Sequence, residues 1–325
     1  MRIWHNIWKT LVVVTVLWCG LGQSAKAQTA NDQKPGSLLF YNIYTSSSTN
    51  AAAVNTLISI TNTATDAGIA IHFYFVDALT CQVADAILTL TSNQTATFLA
   101  SEIDPDVNGY IIAVAVDDQG RPTQHNFLIG SLFAKQTLGA STSTTHSYQL
   151  SAVAFAKLNN LAPTLSPDGT KGNLIFDGDG SGSSYEQLPA EVAIDSFESP
   201  ATADTRLIIY SPRSDLFGPD SNPFTPSTAN VRLFIVYFDE AENAFSASVG
   251  LACWLQSRLT IIRNLAIRIG AGQIGWARMV GYRNNDRIPL LGSVVRASSF
   301  SGGHNLHHLS LLPSYTITIP VFPPR

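Results

Sequence analysis

The same succession of short apolar segments occurs twice along this chain of 325 residues. Residues 73–77 and 235–239 are apolar runs that each end at an aspartate. In both halves a glycine follows 53 residues after that aspartate, Gly130 in the first half and Gly292 in the second. A repeated spacing of this length indicates that one structural unit has been duplicated.

The segments within each half are typical of packed antiparallel sheets. They are rich in Val, Ile, Thr and aromatic residues, and Asn, Asp, Gly, Pro and Ser separate them at intervals of about ten residues. Residues 316–319 alternate with a period of two, which predicts one buried and one solvated face. We therefore expect an all-β protein made of two tandem immunoglobulin-like β-sandwich domains.

Composition sets the predicted domain boundaries. The first domain is expected at residues 36–138 and the second at 173–325, with a short linker at 139–172 that begins with a Ser/Thr-rich stretch. Apolar residues recur within the linker at three-to-four spacing, which predicts one short packed helix. These residues are Leu150, Val153, Ala154 and Leu158.

Residues 1–27 have the three parts of a secretory signal peptide. Arg2 and Lys9 precede an apolar run at residues 11–17, and small residues lead to Ala27, after which we expect cleavage. Cys19 would leave with the signal, so no lipid anchor is expected there. The sequence thus predicts an exported protein, placed outside the cell, on the cell surface or in the periplasm.

Charge narrows the classes of partner. Cleavage would reduce the basic residues from 19 to 16 against 23 acidic residues, a formal charge of −7. This sign argues against binding to nucleic acid or to anionic membranes. No later apolar run approaches the roughly 20 residues of a transmembrane helix. Other extracellular proteins and glycans are the partners that remain open.

Two cysteines remain in the expected mature chain, Cys81 and Cys253, and they lie in different halves. An oxidising compartment allows them to form one disulfide. Two buried thiols are the alternative, because free cysteine packs as a small apolar residue. The sequence leaves both interpretations open.

A glycine-rich acidic stretch resembles a calcium loop. Asp177, Asp179 and Ser181 present oxygen atoms at alternate positions, with glycines that allow sharp turns between them. The match is partial, because the twelfth position, where such loops carry a bidentate carboxylate, is Leu188. A calcium site and a flexible turn are both open interpretations, and no other cofactor is expected.

The histidines near the C-terminus are a second candidate for metal binding. Gly302 and Gly303 precede His304, His307 and His308, and apolar residues follow them, which favours extended backbone over a helix. In an extended segment these imidazoles are too far apart to hold one ion without a ligand from elsewhere. Polar residues on a strand edge are the alternative interpretation.

Known catalytic motifs are missing from the sequence. It contains no G-x-S-x-G, H-E-x-x-H, C-x-x-C or P-loop pattern. Asp77 and Asp239 could suggest a glycosidase pair. They occupy equivalent positions of two repeats, however, where an aspartate that closes a strand is ordinary turn chemistry. We therefore expect a protein that is not an enzyme.

Two tryptophans are candidates for ligand contact. Trp276 occupies the position of Tyr110 in the repeat, so we expect it to pack in the core. Trp254 has no counterpart in the first half, which leaves it as the candidate ligand contact.

Five short stretches carry a resemblance: NQTA at 93–96, GYI at 109–111, NFLIG at 126–130, DEAENAF at 239–245 and GHNLH at 303–307. They are similar to a group of uncharacterised exported bacterial proteins with two tandem β-sandwich domains. The resemblance implies export and a two-domain architecture. It implies no activity.

These features predict a secreted or cell-surface protein with a structural, adhesive or assembly role. A carbohydrate-binding module, with or without calcium, is one alternative, and a hydrolase with an unrecognised interdomain site is another. Residues 316–322 and the arm before Pro35 are the segments expected to add to a neighbour's sheet by β-augmentation. Pro320 blunts that edge, which favours a monomer slightly.

Overall fold

A computed structural model of the protein describes residues 31–137, 145–199, 204–216, 231–262, 269–297 and 302–323. These residues form an all-β structure of several antiparallel sheets. No helix among them is long and apolar enough to cross a bilayer. The predicted signal peptide, residues 1–27, lies outside the described residues.

The strands of the first half form two sheets. They are β1 (Leu38–Thr45), β2 (Asn55–Asn62), β3 (Ile69–Asp77), β4 (Val83–Leu90), β5 (Thr95–Leu99), β6 (Asn108–Val116), β7 (Leu128–Thr137), β8 (Thr145–Ser151) and β9 (Val153–Phe155). Sheet I has the order β4-β3-β6-β1-β9, and sheet II has the order β5-β2-β7-β8. A 3-10 turn, Ala100–Glu102, follows β5.

The remaining strands form two larger sheets and a ribbon. They are β10 (Lys171–Ile175), β11 (Pro189–Glu198), β12 (Asp204–Tyr210), β13 (Val231–Asp239), β14 (Ala244–Gly250), β15 (Leu255–Arg258), β16 (Ile274–Arg283), β17 (Asp286–Ile288), β18 (Leu291–Ala297), β19 (Gly302–Asn305), β20 (His307–Leu311) and β21 (Thr316–Pro320). Sheet III has the order β14-β13-β16-β11-β20, with β17 also paired to β16. Sheet IV has the order β15-β12-β18-β19, and β10 pairs with β21 as a two-stranded ribbon. One helical turn, Leu259–Ile262, follows β15.

The strand order of sheets III and IV reproduces that of sheets I and II. Strands β11 to β16 correspond to β1 to β6, and β18 to β20 correspond to β7 to β9. Gly109 of β6 and Gly275 of β16 occupy equivalent positions. A Cβ atom would lie 1.8 Å from the Val76 carbonyl oxygen at the first glycine and 2.8 Å from the Phe238 carbonyl oxygen at the second. Both repeats therefore need glycine where two strands approach closely.

Each half encloses one apolar cluster between its two sheets. The first cluster joins Ile71 and Phe73 of sheet I to Ile58 and Ile60 of sheet II. The second cluster joins sheets III and IV, and its members include Leu207, Leu233, Ile235 and Val294. Strand β13 alternates buried and more exposed residues over most of its length, in agreement with the predicted period of two.

A third apolar cluster covers the other face of sheet I. It contains Phe40, Tyr74 and Ile112 from that sheet. Opposite them lie residues of sheet IV and the ribbon, namely Tyr210, Leu291, Ile317 and Ile319. All eight residues of β1 are consequently buried. Burial on both faces explains why the central strands of sheet I are almost continuously apolar instead of alternating.

The predicted helix at Leu150, Val153, Ala154 and Leu158 is wrong. The chain crosses from sheet II to sheet I at Ala152, between β8 and β9. Leu150 and Ala154 consequently face the first cluster while Val153 faces the third. Because the chain changes sheets here, buried apolar residues recur at the three-to-four spacing that is also typical of a helix. Strands β8 and β9 and the first two residues of β10 lie in residues 139–172, which were predicted to be a linker.

Both segments expected to add to a neighbour's sheet are paired within the chain. β21 pairs with β10 along its whole length, and Asn31 in the arm before Pro35 bridges Ala154 of β9. Addition of either segment to a neighbour's sheet stays a prediction.

Cys81 and Cys253 form a disulfide between the two halves. Cys81 lies in the turn between β3 and β4, and Cys253 lies between β14 and β15. Their Cα atoms are 5.5 Å apart, and 172 residues separate them in sequence. The bond therefore connects the β3–β4 turn at the edge of sheet I to the segment that passes from sheet III to sheet IV.

We expect the double variant Cys81→Ser, Cys253→Ser to lose stability. Closing a loop of 172 residues removes chain entropy from the unfolded state that corresponds to about 5 kcal/mol. Urea unfolding should show a lower midpoint for the variant, and dithiothreitol should lower the wild-type midpoint to the same value. Equal midpoints for oxidised wild type and variant would contradict a disulfide in the folded protein.

Candidate functional site

Asp195, His304 and His307 form a compact group at the surface. The Asp195 Oδ1 atom lies 3.3 Å from His304 Nε2, and Oδ2 lies 3.7 Å from His307 Nε2. Among the described residues this is the one group of three carboxylate, histidine or cysteine side chains whose ligand atoms all lie within 4.8 Å of one another. Asp195, which no sequence pattern singles out, thus brings a third potential ligand to the two histidines.

The two histidines lie on either side of the point where the chain passes from sheet IV to sheet III. His304 belongs to β19 in sheet IV, and His307 begins β20 in sheet III. Leu306 between them is buried, and its backbone N–H donates to the Gly292 carbonyl oxygen at 3.0 Å. The buried leucine holds the chain in place where it passes between the sheets. The imidazoles on either side of it are both exposed, close to each other at one corner of the surface.

Asp195 reaches the same corner from a bulge in β11. The register between β11 and β16 shifts between Ile194 and Phe197. A bulge of this kind redirects side chains from the regular alternation. Because Ala193 pairs with His307, Asp195 lies two positions beyond the residue opposite that histidine.

His304 has a preferred tautomer in this arrangement. Its Nδ1 atom lies 3.0 Å from the Asn305 carbonyl oxygen, which can only accept, so Nδ1 carries the hydrogen. Nε2, the other ring nitrogen, lies 3.3 Å from Oδ1 of Asp195.

The group borders two surface cavities. One of about 540 Å³ is lined by His304, His307 and His308 together with Asp32 and Val153 of the first half. The other, of about 340 Å³, is also lined by Asp195 and His304 and includes further residues of sheet IV. The site therefore lies where the two halves meet.

A buried polar network supports this corner from below. The side-chain amide of Asn42 donates to the Gly292 carbonyl oxygen at 2.8 Å and to Asn305 Oδ1 at 2.8 Å. Its oxygen accepts from the Tyr210 hydroxyl at 2.9 Å. Burial raises the pKa of Tyr210 well above its usual value, so the hydroxyl stays protonated and donates. Asn305 also donates to Asp32 Oδ2 at 2.9 Å.

Trp254, the predicted ligand contact, lies in the same interface. Its indole N–H donates to the Asn42 carbonyl oxygen at 3.1 Å, and its half-buried ring packs against the first and third clusters. The structure thus places Trp254 against the protein itself, next to β15 at the edge of sheet IV opposite to the β19 strand of His304.

Trp276 differs from its prediction. Tyr110 is buried and stacks on Tyr210, whereas Trp276 is 39% exposed and stacks on Phe238 with ring centroids 4.2 Å apart. Both residues lie on the outer face of their sheet. The prediction of core packing is wrong because, in the described part of the chain, no cluster covers the outer face of sheet III as the third cluster covers sheet I.

The acidic loop turns its carboxylates onto its own backbone. Asp177 Oδ1 accepts from the Asp179 N–H at 3.3 Å, and Asp179 accepts from the N–H and hydroxyl of Ser181 at 2.7 and 2.9 Å. The hydrogen bonds from Ser181 lower the pKa of Asp179. This is the geometry of the turn interpretation, and calcium binding stays a prediction.

The two strand-closing aspartates also accept hydrogen bonds from their own turns. Asp77 accepts from the Leu79 N–H at 2.7 Å, and Asp239 accepts from the Ala241 N–H at 2.9 Å. Their assignment to turn chemistry is confirmed.

No known protein family matches the sequence, and no curated protein matches it either. Solved structures with some likeness include Thermotoga maritima 1070, with a TM-score of 0.25 and 12% identity over 35% of this chain and 90% of that chain. Oxalate decarboxylase of Lactobacillus farciminis in its formate complex has a TM-score of 0.19 and 8% identity over 83% and 76% of the chains. Infectious bursal disease virus strain Gx has a TM-score of 0.15 and 8% identity over 91% and 79%. These TM-scores are too low to indicate a shared fold.

We expect Asn42→Ala to destabilise the protein by about 1–3 kcal/mol, because the Tyr210 hydroxyl and the Asn305 side chain lose a buried partner. Urea unfolding measures the change. Asn108→Ala, which removes an exposed asparagine from a strand of the same sheet, is the matched control and should stay close to wild type. Equal midpoints for the two variants would argue against the network.

Proposed function

We propose that this protein is an exported, non-enzymatic assembly protein. In this proposal two immunoglobulin-like sandwich units act as one body, which associates with a second copy through strand β14 of sheet III. The signal peptide predicted at residues 1–27 supports export. The exposed edge of β14 is the observation that carries the assembly role.

β14 is an edge strand without the usual protection. Among the described residues it pairs only with β13, and its seven residues contain neither a charged side chain nor a proline. An edge of this kind presents unpaired backbone groups to another strand. Its counterpart β4 carries Asp85, whose side chain is 48% exposed, and a charge on an edge strand opposes such pairing.

The sequence of β14 suits pairing with itself. It reads AFSASVG and is nearly symmetric about Ala247. In an antiparallel pair centred there, Ser246 would lie opposite Ser248, and Phe245 opposite Val249. Serine pairs and aromatic pairs with β-branched residues both stabilise neighbouring strands. Two-fold symmetric contact is also the commonest form of self-association.

The outer face of sheet III adds apolar surface to this edge. Phe234 is 41% exposed and Trp276 39%, and both lie on the face whose counterpart in sheet I is covered. Pairing of two β14 strands would join two such faces into one continuous surface. Exposed apolar patches of this kind are typical of interaction sites, which supports an adhesive or structural role.

A carbohydrate-binding role is the second candidate. The stacked pair of Phe238 and Trp276 has an interplanar angle of 9° and lies on an open sheet face. Flat exposed aromatic rings suit the apolar faces of sugar rings. This observation favours glycans over other small ligands.

We expect the mature protein to form dimers and Ser248→Lys to abolish them, because the symmetric contact would place two added lysines close together on one shared surface. Sedimentation velocity over a range of protein concentrations measures the assembly state. Ser248→Thr, which keeps the hydroxyl and adds no charge, should remain dimeric. A wild-type protein that stays monomeric at the highest concentration reached would refute self-assembly through β14.

For the second candidate, we expect wild-type protein to bind on a glycan array and Trp276→Ala to lose that binding. Phe127→Ala removes another exposed aromatic ring, in the first half, and should bind like wild type. The absence of any wild-type signal would eliminate the carbohydrate-binding role.

A further inference from the structure

We propose that Asp195, His304 and His307 bind a divalent transition-metal ion of the zinc class. Two imidazoles and one carboxylate are a ligand set that such ions favour and that leaves coordination positions open. Calcium and magnesium prefer sites made of oxygen atoms alone. The residue types therefore select a borderline-soft ion.

The spacing of the three side chains fits one ion. With zinc-to-ligand distances of about 2.0–2.2 Å, neighbouring ligand atoms of a tetrahedral site lie about 3.3 Å apart. The Oδ1 atom of Asp195 lies 3.3 Å from His304 Nε2, and its Oδ2 atom lies 3.7 Å from His307 Nε2. The two imidazole rings have centroids 5.9 Å apart. Small rotations of these exposed side chains are enough to bring all three ligand atoms to one ion.

The surroundings of His304 prepare it as a ligand. The hydrogen bond from Nδ1 to the Asn305 carbonyl oxygen leaves Nε2 to donate its lone pair to a metal. Asn305 is itself held by Asn42 and Asp32. Hydrogen bonds of this kind orient the imidazole and reduce the entropy lost when a metal binds.

The repeat shows that the fold does not need these residues at this corner. Strand pairing places the equivalent positions of the first half at Asn42, Leu150 and Val153. All three are buried and uncharged. The first half thus has buried, uncharged residues at these positions, whereas the second half has three exposed potential ligands. The three residues of the second half therefore have a role beyond packing.

All three proposed ligands line the cavity of about 540 Å³. Three protein ligands leave at least one position of a tetrahedral ion for water or for a donor atom of a bound molecule. The site lies on β11, β19 and β20, whereas the proposed dimer contact lies on β14, at the edge of sheet III opposite to β20. The two proposals therefore fail or succeed independently.

Titration calorimetry of zinc chloride into the chelator-treated, full mature protein tests the proposal. We expect one ion per chain and at least tenfold weaker binding for Asp195→Asn, His304→Gln and His307→Gln. Binding should also weaken as the pH falls, because protons compete for the imidazoles. Cobalt should give the intense visible absorption of a tetrahedral site in wild type and lose it in the three variants.

His146→Gln, a histidine of β8 outside the site, is the matched control and should bind like wild type. The urea midpoint of each site variant without metal should equal that of wild type, because the altered side chains are exposed. Absence of zinc binding, or binding that the three site variants leave unchanged, would overturn the proposal. Loss of binding in His308→Gln equal to that in His307→Gln would overturn the ligand assignment.

Discussion

The burial of sheet I on both faces is the constraint on which the rest of the structure depends. One face packs on sheet II, and the other packs on sheet IV and the ribbon. The third cluster joins the two halves, and burial of apolar surface contributes about 25 cal/mol for each Å². The Asn42 network shares Tyr210 with this cluster, and the disulfide is a covalent connection between the same halves.

The sequence predicted the all-β class and the repeat because both depend on local patterns. Short β-branched segments, turn residues and a shared spacing can be recognised without knowing any tertiary contact. The ribbon was not predictable in this way, since Asn173 and Thr318 are paired across 145 residues. The error at Leu150 and Val153 has a similar origin. Where the chain passes from one sheet to another within two residues, buried apolar residues recur at the three-to-four spacing that is also typical of a helix.

The sequence pointed to two of the three residues of the candidate site. His304 and His307 were recognised as neighbours, whereas Asp195 resembles any aspartate in an apolar strand. Its role depends on a bulge and on the pairing of β11 with β20, which no local pattern reports. The alignment of the repeats held one signal, since Asp195 is an acid where the first half has the amide Asn42.

The ribbon has a mechanical consequence. Pairing β10 with β21 brings residues 316–320 back to the middle of the chain, and Asn31, where the described residues begin, is bridged to β9. A tensile load applied between Asn31 and β21 would act first on these closures and on the packing between the halves. The halves would then resist extension together and not yield one after the other.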